Sequence, residues 1–122
     1  MDIQLINIEF SKFKKFYKEK NLKQAILSLQ TILKENPNQT EAIFFLGIIS
    51  VQIKKLNEAK NYFIKLIKIK PNSIEGIFNL GMTNYKLDLL KEAINNFNEV
   101  LKLDNNNKDA LNNIAKIYKD LN

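Results

Sequence analysis

Residues 77–97 read Ile-Phe-Asn-Leu-Gly-Met-Thr-Asn-Tyr-Lys-Leu-Asp-Leu-Leu-Lys-Glu-Ala-Ile-Asn-Asn-Phe, and residues 43–63 read Ile-Phe-Phe-Leu-Gly-Ile-Ile-Ser-Val-Gln-Ile-Lys-Lys-Leu-Asn-Glu-Ala-Lys-Asn-Tyr-Phe. The two stretches are offset by 34 residues, and the same offset separates Pro37 from Pro71, Leu46 from Leu80 and Gly47 from Gly81. It extends through Ala25, Ala59 and Ala93, and through Leu29, Phe63 and Phe97. Ile114 then takes the place of the two leucines and Ala115 that of the two glycines. A fixed period of this length is the sequence signature of a repeat architecture, in which each unit buries its apolar face only against its neighbours.

Each position has a physical reading. Ala25, Leu29, Ile32 and Leu33 recur at helical spacing, as do Ala59, Phe63, Leu66 and Ile67, and again Ala93, Phe97, Val100 and Leu101. Pro37 and Pro71 lack the N–H and clash one turn back, so they end the preceding helix. At the third such place Asp104-Asn105-Asn106-Asn107 breaks the helix by turn and N-cap chemistry. A glycine inside a helix costs about 1 kcal/mol against alanine, so Gly47 and Gly81 need a packing reason. Close approach to Ala59 and Ala93 on the second helix of each hairpin is the expected one.

Ile77-x-x-Leu80-Gly81, followed by Tyr85, Ala93, Phe97 and an inter-repeat turn, resembles the tetratricopeptide repeat signature. The resemblance implies an all-α, right-handed α-solenoid of about seven helices in antiparallel pairs. It divides a single domain, 1–122, into a degenerate first repeat (7–39), full repeats at 40–73 and 74–107, and a closing helix from 108 to 122. In strict register Phe13 stands at the family's small position, and Glu9 and Lys12 stand at apolar ones. A loop one residue shorter gives Phe10-x-x-Phe13-Lys14-x-x-Tyr17, and both registers stay open. Either way, looser packing and fraying are expected of a first helix at about 7–20. Leu111, Ile114, Ala115 and Tyr118 are expected to cover the third repeat, leaving Asn112, Asn113, Lys116 and Lys119 to water.

In that family the first helices line a concave face that selects the ligand. The resemblance therefore points to Phe44, Ile48 and Val51, to Phe78, Met82 and Tyr85, and to Tyr17 as partner-binding residues, with Phe10 and Lys14 aligned beside Tyr17. Such a face suits an amphipathic helix or an extended peptide with bulky anchors, or else a second copy of the chain in a homodimer. One subfamily clamps chaperone-tail carboxylates with Lys, Asn and Arg side chains. The corresponding places here hold Phe10, Lys14, Phe45, Glu75 and Asn79, so no clamp is expected. Glu41, Glu75 and Asp109 recur at the repeat spacing near first-helix starts, where they favour the helix dipole and could meet a basic segment flanking an apolar anchor.

Composition narrows the remaining classes. The 122 residues are 45% hydrophobic and carry a net charge of +6, all 19 basic residues being Lys. Without the guanidinium fork, and with lysines scattered through every segment, a dedicated nucleic-acid surface is not expected. The chain has no Cys and no His, which removes the usual nucleophiles, general bases and zinc ligands. The expectation is a scaffold and not an enzyme, with no cofactor and no metal. Met1–Phe10 has no basic n-region and no continuous apolar run, and no stretch is apolar enough to span a membrane, so a cytoplasmic location is expected.

Overall fold

A computed structural model describes residues 2–122. It contains seven α-helices: α1 (Ile3–Lys18), α2 (Leu22–Glu35), α3 (Thr40–Gln52), α4 (Leu56–Ile69), α5 (Ile74–Lys86), α6 (Leu90–Leu103) and α7 (Lys108–Leu121). No strand occurs among the described residues. Each helix packs on its neighbours in the chain, and α3 also touches α5, giving three hairpins stacked side by side with α7 at the end.

The local chemistry repeats with the sequence. Gln39, Ser73 and Asn107 cap α3, α5 and α7, and their side chains accept first-turn amides. Inside each hairpin the turn passes through a left-handed residue, namely Lys20, Lys54 or Asp88, with φ of 61°, 64° and 63°. The amides of these three donate to the carbonyls of Tyr17, Val51 and Tyr85. The turns are 34 residues apart throughout, which settles the first hairpin in strict register with no shortened loop. Its first helix begins at Ile3, earlier than the expected residue 7, because Asp2 accepts the Leu5 amide and supplies the cap.

Two packing expectations are corrected. A Cβ added to Gly47 would stand 2.7 Å from Cε1 and Cζ of Phe63, and one on Gly81 would stand 3.0 Å from the same atoms of Phe97. The glycines therefore make room for the aromatic ring one turn beyond Ala59 and Ala93, not for the alanines, which are wholly buried. The first hairpin is also not loose. Phe13, at the glycine position, is buried opposite a buried Leu29 where the later repeats have phenylalanine, and α1 packs on α2 as extensively as α3 on α4. The large ring has moved from the second helix to the first, so the volume at the crossing is kept. Glu9 and Lys12, at the apolar places, pair with each other at 3.3 Å.

A small residue also recurs at Ala42, Gly76 and Ala110, all buried, where each first helix meets the preceding hairpin; a Cβ on Gly76 would lie 3.0 Å from Cδ2 of Leu66. The third residue after the glycine is buried as well, as Ser50 and as Asn84, so Asn84 and not Tyr85 occupies the inward signature position. Asn84 Nδ2 donates to Asn96 Oδ1 at 2.8 Å, while Asn84 Oδ1 has no partner. Asn96→Ala orphans the second polar atom of a buried amide and is expected to cost about 1–3 kcal/mol, read as a lower urea midpoint at unchanged slope.

The closing helix also departs from expectation. It docks through Ala110 and Ile117, with Ile114 half-buried, while Leu111, Ala115 and Tyr118 face outward. The repeat register explains this: the three outward residues occupy the places that, in α3 and α5, face the second helix of their own hairpin. Among the described residues no helix is long and apolar enough to cross a membrane.

Candidate peptide-binding face

The first helices of the hairpins, with α7, form a wall, and the residues expected to meet a partner lie on the first helices. Tyr17, Phe44, Ile48, Val51, Phe78, Met82 and Tyr85 are all half-buried. Their inner edges are fixed by the core. Phe44 meets Phe63 edge-on at 6.2 Å between centroids, and Phe78 meets Phe97 in the same way at 5.4 Å. Ile48 and Val51 pack on the cluster of Ala59, Phe63 and Leu80, and Met82 and Tyr85 on that around Phe97. The stripes thus belong partly to the core and partly to the surface.

Hydrogen bonds between successive first helices tie the wall together at one edge. Gln52 Nε2 donates to the Tyr17 hydroxyl at 2.8 Å, and the Tyr85 hydroxyl donates to Asp120 Oδ2 at 2.5 Å; both links join residues 35 apart. Lys116 Nζ stands 5.3 Å from the centroid of the Tyr85 ring. The bond to Asp120, followed by desolvation and the nearby carboxylate charge, raises the Tyr85 pKa above the ordinary tyrosine value. A raised folded-state pKa means that this contribution to stability is intact below the unfolded-state value of about 10 and is lost as pH climbs through the folded one. Asp120→Asn is expected to bring Tyr85 ionisation, followed by tyrosinate absorbance, back toward the ordinary range.

The opposite edge, at the starts of α3 and α5, opens into a cleft of about 280 Å³ lined by Thr40, Glu41, Phe44, Phe45, Leu66, Lys70, Ser73 and Glu75. Phe45 is half-buried and joins an aromatic run, 5.5 Å from Phe44 and 4.9 Å from Phe13 between centroids. Glu41 and Glu75 are exposed, and neither is in an ion pair among the described residues. The cleft therefore combines an aromatic floor with two free carboxylates and one ammonium group, that of Lys70. At the far edge Tyr17, Lys18, Lys20, Leu22 and Gln52 line a second hollow of about 370 Å³, with basic rims.

Sequence reading placed Phe45 only among the clamp positions and missed Gln52, Lys116 and Asp120 as wall residues. Phe45 had a signal in its adjacency to Phe44, but the other three act across helices, in pairings that depend on how far successive repeats rotate. Asn79, at a clamp place, spends its amide on the Glu75 carbonyl at 2.8 Å. No cluster of metal-ligating side chains occurs among the described residues.

Stacked antiparallel helix pairs of constant length, with their first helices forming one wall, define an α-solenoid repeat protein. Tetratricopeptide repeat family models match residues 16–77 and 74–107, and the chain belongs to that family. No curated protein sequence matches it significantly. Among solved structures, the first tetratricopeptide domain of Spaghetti (RPAP3) bound to the HSP90 peptide SRMEEVD is similar, with a TM-score of 0.90 at 21% identity, covering 99% of this chain and 96% of that one. The MamA protein superposes with a TM-score of 0.89 at 23% identity, over 97% of this chain and 64% of MamA. The second tetratricopeptide domain of human RPAP3 in complex with the HSP70 peptide SGPTIEEVD gives 0.85 at 22% identity, over 94% and 96%.

Proposed function

We propose that the chain is a protein-interaction scaffold whose first-helix wall holds a peptide through a bulky apolar anchor beside a Lys or Arg. The observation that carries this reading is the cleft in which Phe44 and Phe45 form an apolar floor while Glu41 and Glu75 stand unpaired, two carboxylates against the single ammonium of Lys70. Burying a Leu- or Phe-sized anchor there supplies about 1.5–3 kcal/mol. An exposed ion pair adds at most ~1 kcal/mol, so the apolar contact sets affinity and the carboxylates set preference. The similar RPAP3 domains were solved with peptides that carry acidic residues. Of the clamp places here, Lys14 suits an acidic tail, but Glu75 repels it and Phe10 and Phe45 offer it no hydrogen bond, which favours the opposite charge beside Glu75. The residues assigned to the partner are Tyr17, Phe44, Ile48, Val51, Phe78, Met82 and Tyr85, extended by Phe45, Glu41 and Glu75. No catalytic step is assigned to the chain.

Selection of a random 12-residue phage-displayed library on the whole chain tests the reading. Enriched peptides are expected to place Lys or Arg within a few residues of Leu, Phe or Met, to lose about tenfold in affinity to the Glu41→Lys, Glu75→Lys variant, and to outcompete synthetic SRMEEVD. Enrichment of acidic peptides, or affinity untouched by the charge reversal, refutes it.

A further inference from the structure

Lysine occurs in every segment, but the net charge does not. Residues 12–23 and 52–58 hold eight of the 19 lysines against two acids, Glu19 and Glu58, and so account for the whole net charge of +6; the rest of the chain carries eleven charges of each sign. The fold gathers these two stretches at one edge. They span the α1–α2 turn and the α3–α4 turn, which lie side by side, tied by the hydrogen bond from Gln52 to Tyr17, with the hollow of Tyr17, Lys18, Lys20, Leu22 and Gln52 between them. Lys18, Lys20, Lys23, Lys54 and Lys55 are all exposed there, and none is in an ion pair among the described residues. Hairpins pack on one another through their helices, so a further hairpin at either end of the stack would leave these turns uncovered.

Local stability does not call for these cations. The dipole of α1 favours Lys18 in its last turn, but Lys23 stands in the first turn of α2 and Lys55 at the N-cap of α4, where a helix end disfavours positive charge. Lys20 and Lys54 take left-handed backbone at the tips of their turns, a conformation that suits Asn, Asp or Gly better. The repeat does not require lysine at that place either, since the third hairpin has Asp88 there. Five unpaired like charges on one edge repel one another, and an anionic partner relieves that repulsion.

The kind of anion follows from the shape and chemistry of the edge. Every cation is a lysine, whose compact charge lacks the guanidinium fork and suits diffuse attraction to a charged plane better than paired contacts with single phosphates or carboxylates. The carriers are the tips of two neighbouring turns, which a plane touches at once. Beside Lys54, at the end of α3, Ile53 is 38% exposed; a membrane interface buries such a side chain and a polyanion in water does not. We infer that this edge docks on an anionic lipid surface, with the five lysines among the headgroups and Ile53 at the acyl boundary. The acidic cleft of the wall lies at the opposite edge, clear of that surface. Each lysine near an anionic leaflet strengthens binding about fivefold, and salt weakens the attraction by screening it.

Cosedimentation of the whole chain with lipid vesicles, in about 0.1 M salt, is the test. Binding is expected with phosphatidylserine-rich vesicles and not with pure phosphatidylcholine. It is expected to fall more than about a hundredfold with Lys20→Glu, Lys54→Glu and Lys55→Glu together. All three positions are exposed, so the thermal unfolding midpoint of the triple variant should stay near that of the parent chain, confirming that it folds. Ile53→Trp gives a chain without tryptophan a single reporter, whose emission is expected to shift to the blue on phosphatidylserine vesicles. The inference is overturned by an absence of binding to those vesicles, by equal binding to both kinds, by binding that the triple variant keeps, or by tryptophan emission that stays unchanged in the bound chain. Displacement from the vesicles by polyglutamate or polyuridine at equal charge concentration also overturns it, since that assigns the edge to an acidic protein or a nucleic acid.

Discussion

Phe13→Ala is expected to lower stability by about 3–5 kcal/mol, as loss of a fully buried phenylalanine does elsewhere. Phe13 is 2% exposed and packs on two further helices: it shares a cluster with Leu29 of α2, and its ring lies tilted, 4.9 Å between centroids, against Phe45 of α3. It stands where the other hairpins have glycine, and the facing helix offers Leu29 instead of a phenylalanine, so α2 has no ring to refill the space. Urea denaturation followed by circular dichroism measures the loss. A change below about 1 kcal/mol would mean that the first hairpin frays and that its aromatic ring is not part of the cooperative core.

Gly47→Val should be comparably damaging by the opposite route, overpacking. The new Cβ falls 2.7 Å from two ring atoms of Phe63, which is itself wholly buried, so the ring or the helix must move. Overpacking of this kind costs about 1–3 kcal/mol and occasionally more, and the β-branched side chain places Gly47→Val at the upper end. Gly81→Val, with the first contact at 3.0 Å, should cost less. Because the natural Phe13–Leu29 pair shows that this crossing accepts the larger residue on the first helix, Phe63→Leu should recover part of the loss in a Gly47→Val background. A double-mutant cycle reads that coupling directly, and additivity of the two substitutions would remove the volume argument.

These two substitutions also mark how far the sequence could be read. The period, the prolines, the capping residues and the periodic second helices are local properties, written in the order of the residues, and they carry the helix count and the pairing. The exchange of ring and small residue between α1 and α2 is not local. Phe13 and Glu9 look like misfits until the turn at Lys20 fixes the register, and only then does Leu29 appear as the compensating half. The closing helix differs from expectation for a related reason: its apolar residues are those of any first helix, and the flank that meets the preceding hairpin, Ala110 and Ile117, is the one that is buried. The stripes of the candidate face were legible from their i, i+4, i+7 spacing. The cleft was not, because Glu41, Phe45, Leu66 and Glu75 come from three helices and meet only through the rotation between successive hairpins.

Whether the first-helix wall stands open decides between a scaffold that receives a peptide and a chain that covers its own groove. Light-scattering molar mass across a wide concentration range, for the native chain and for the variant with Phe78→Lys and Tyr85→Lys, measures this directly. A mass of 14.2 kDa for both at every concentration is the expected result. A native mass of twice that value, returned to the monomer in a folded variant, would contradict it and assign the wall to self-assembly.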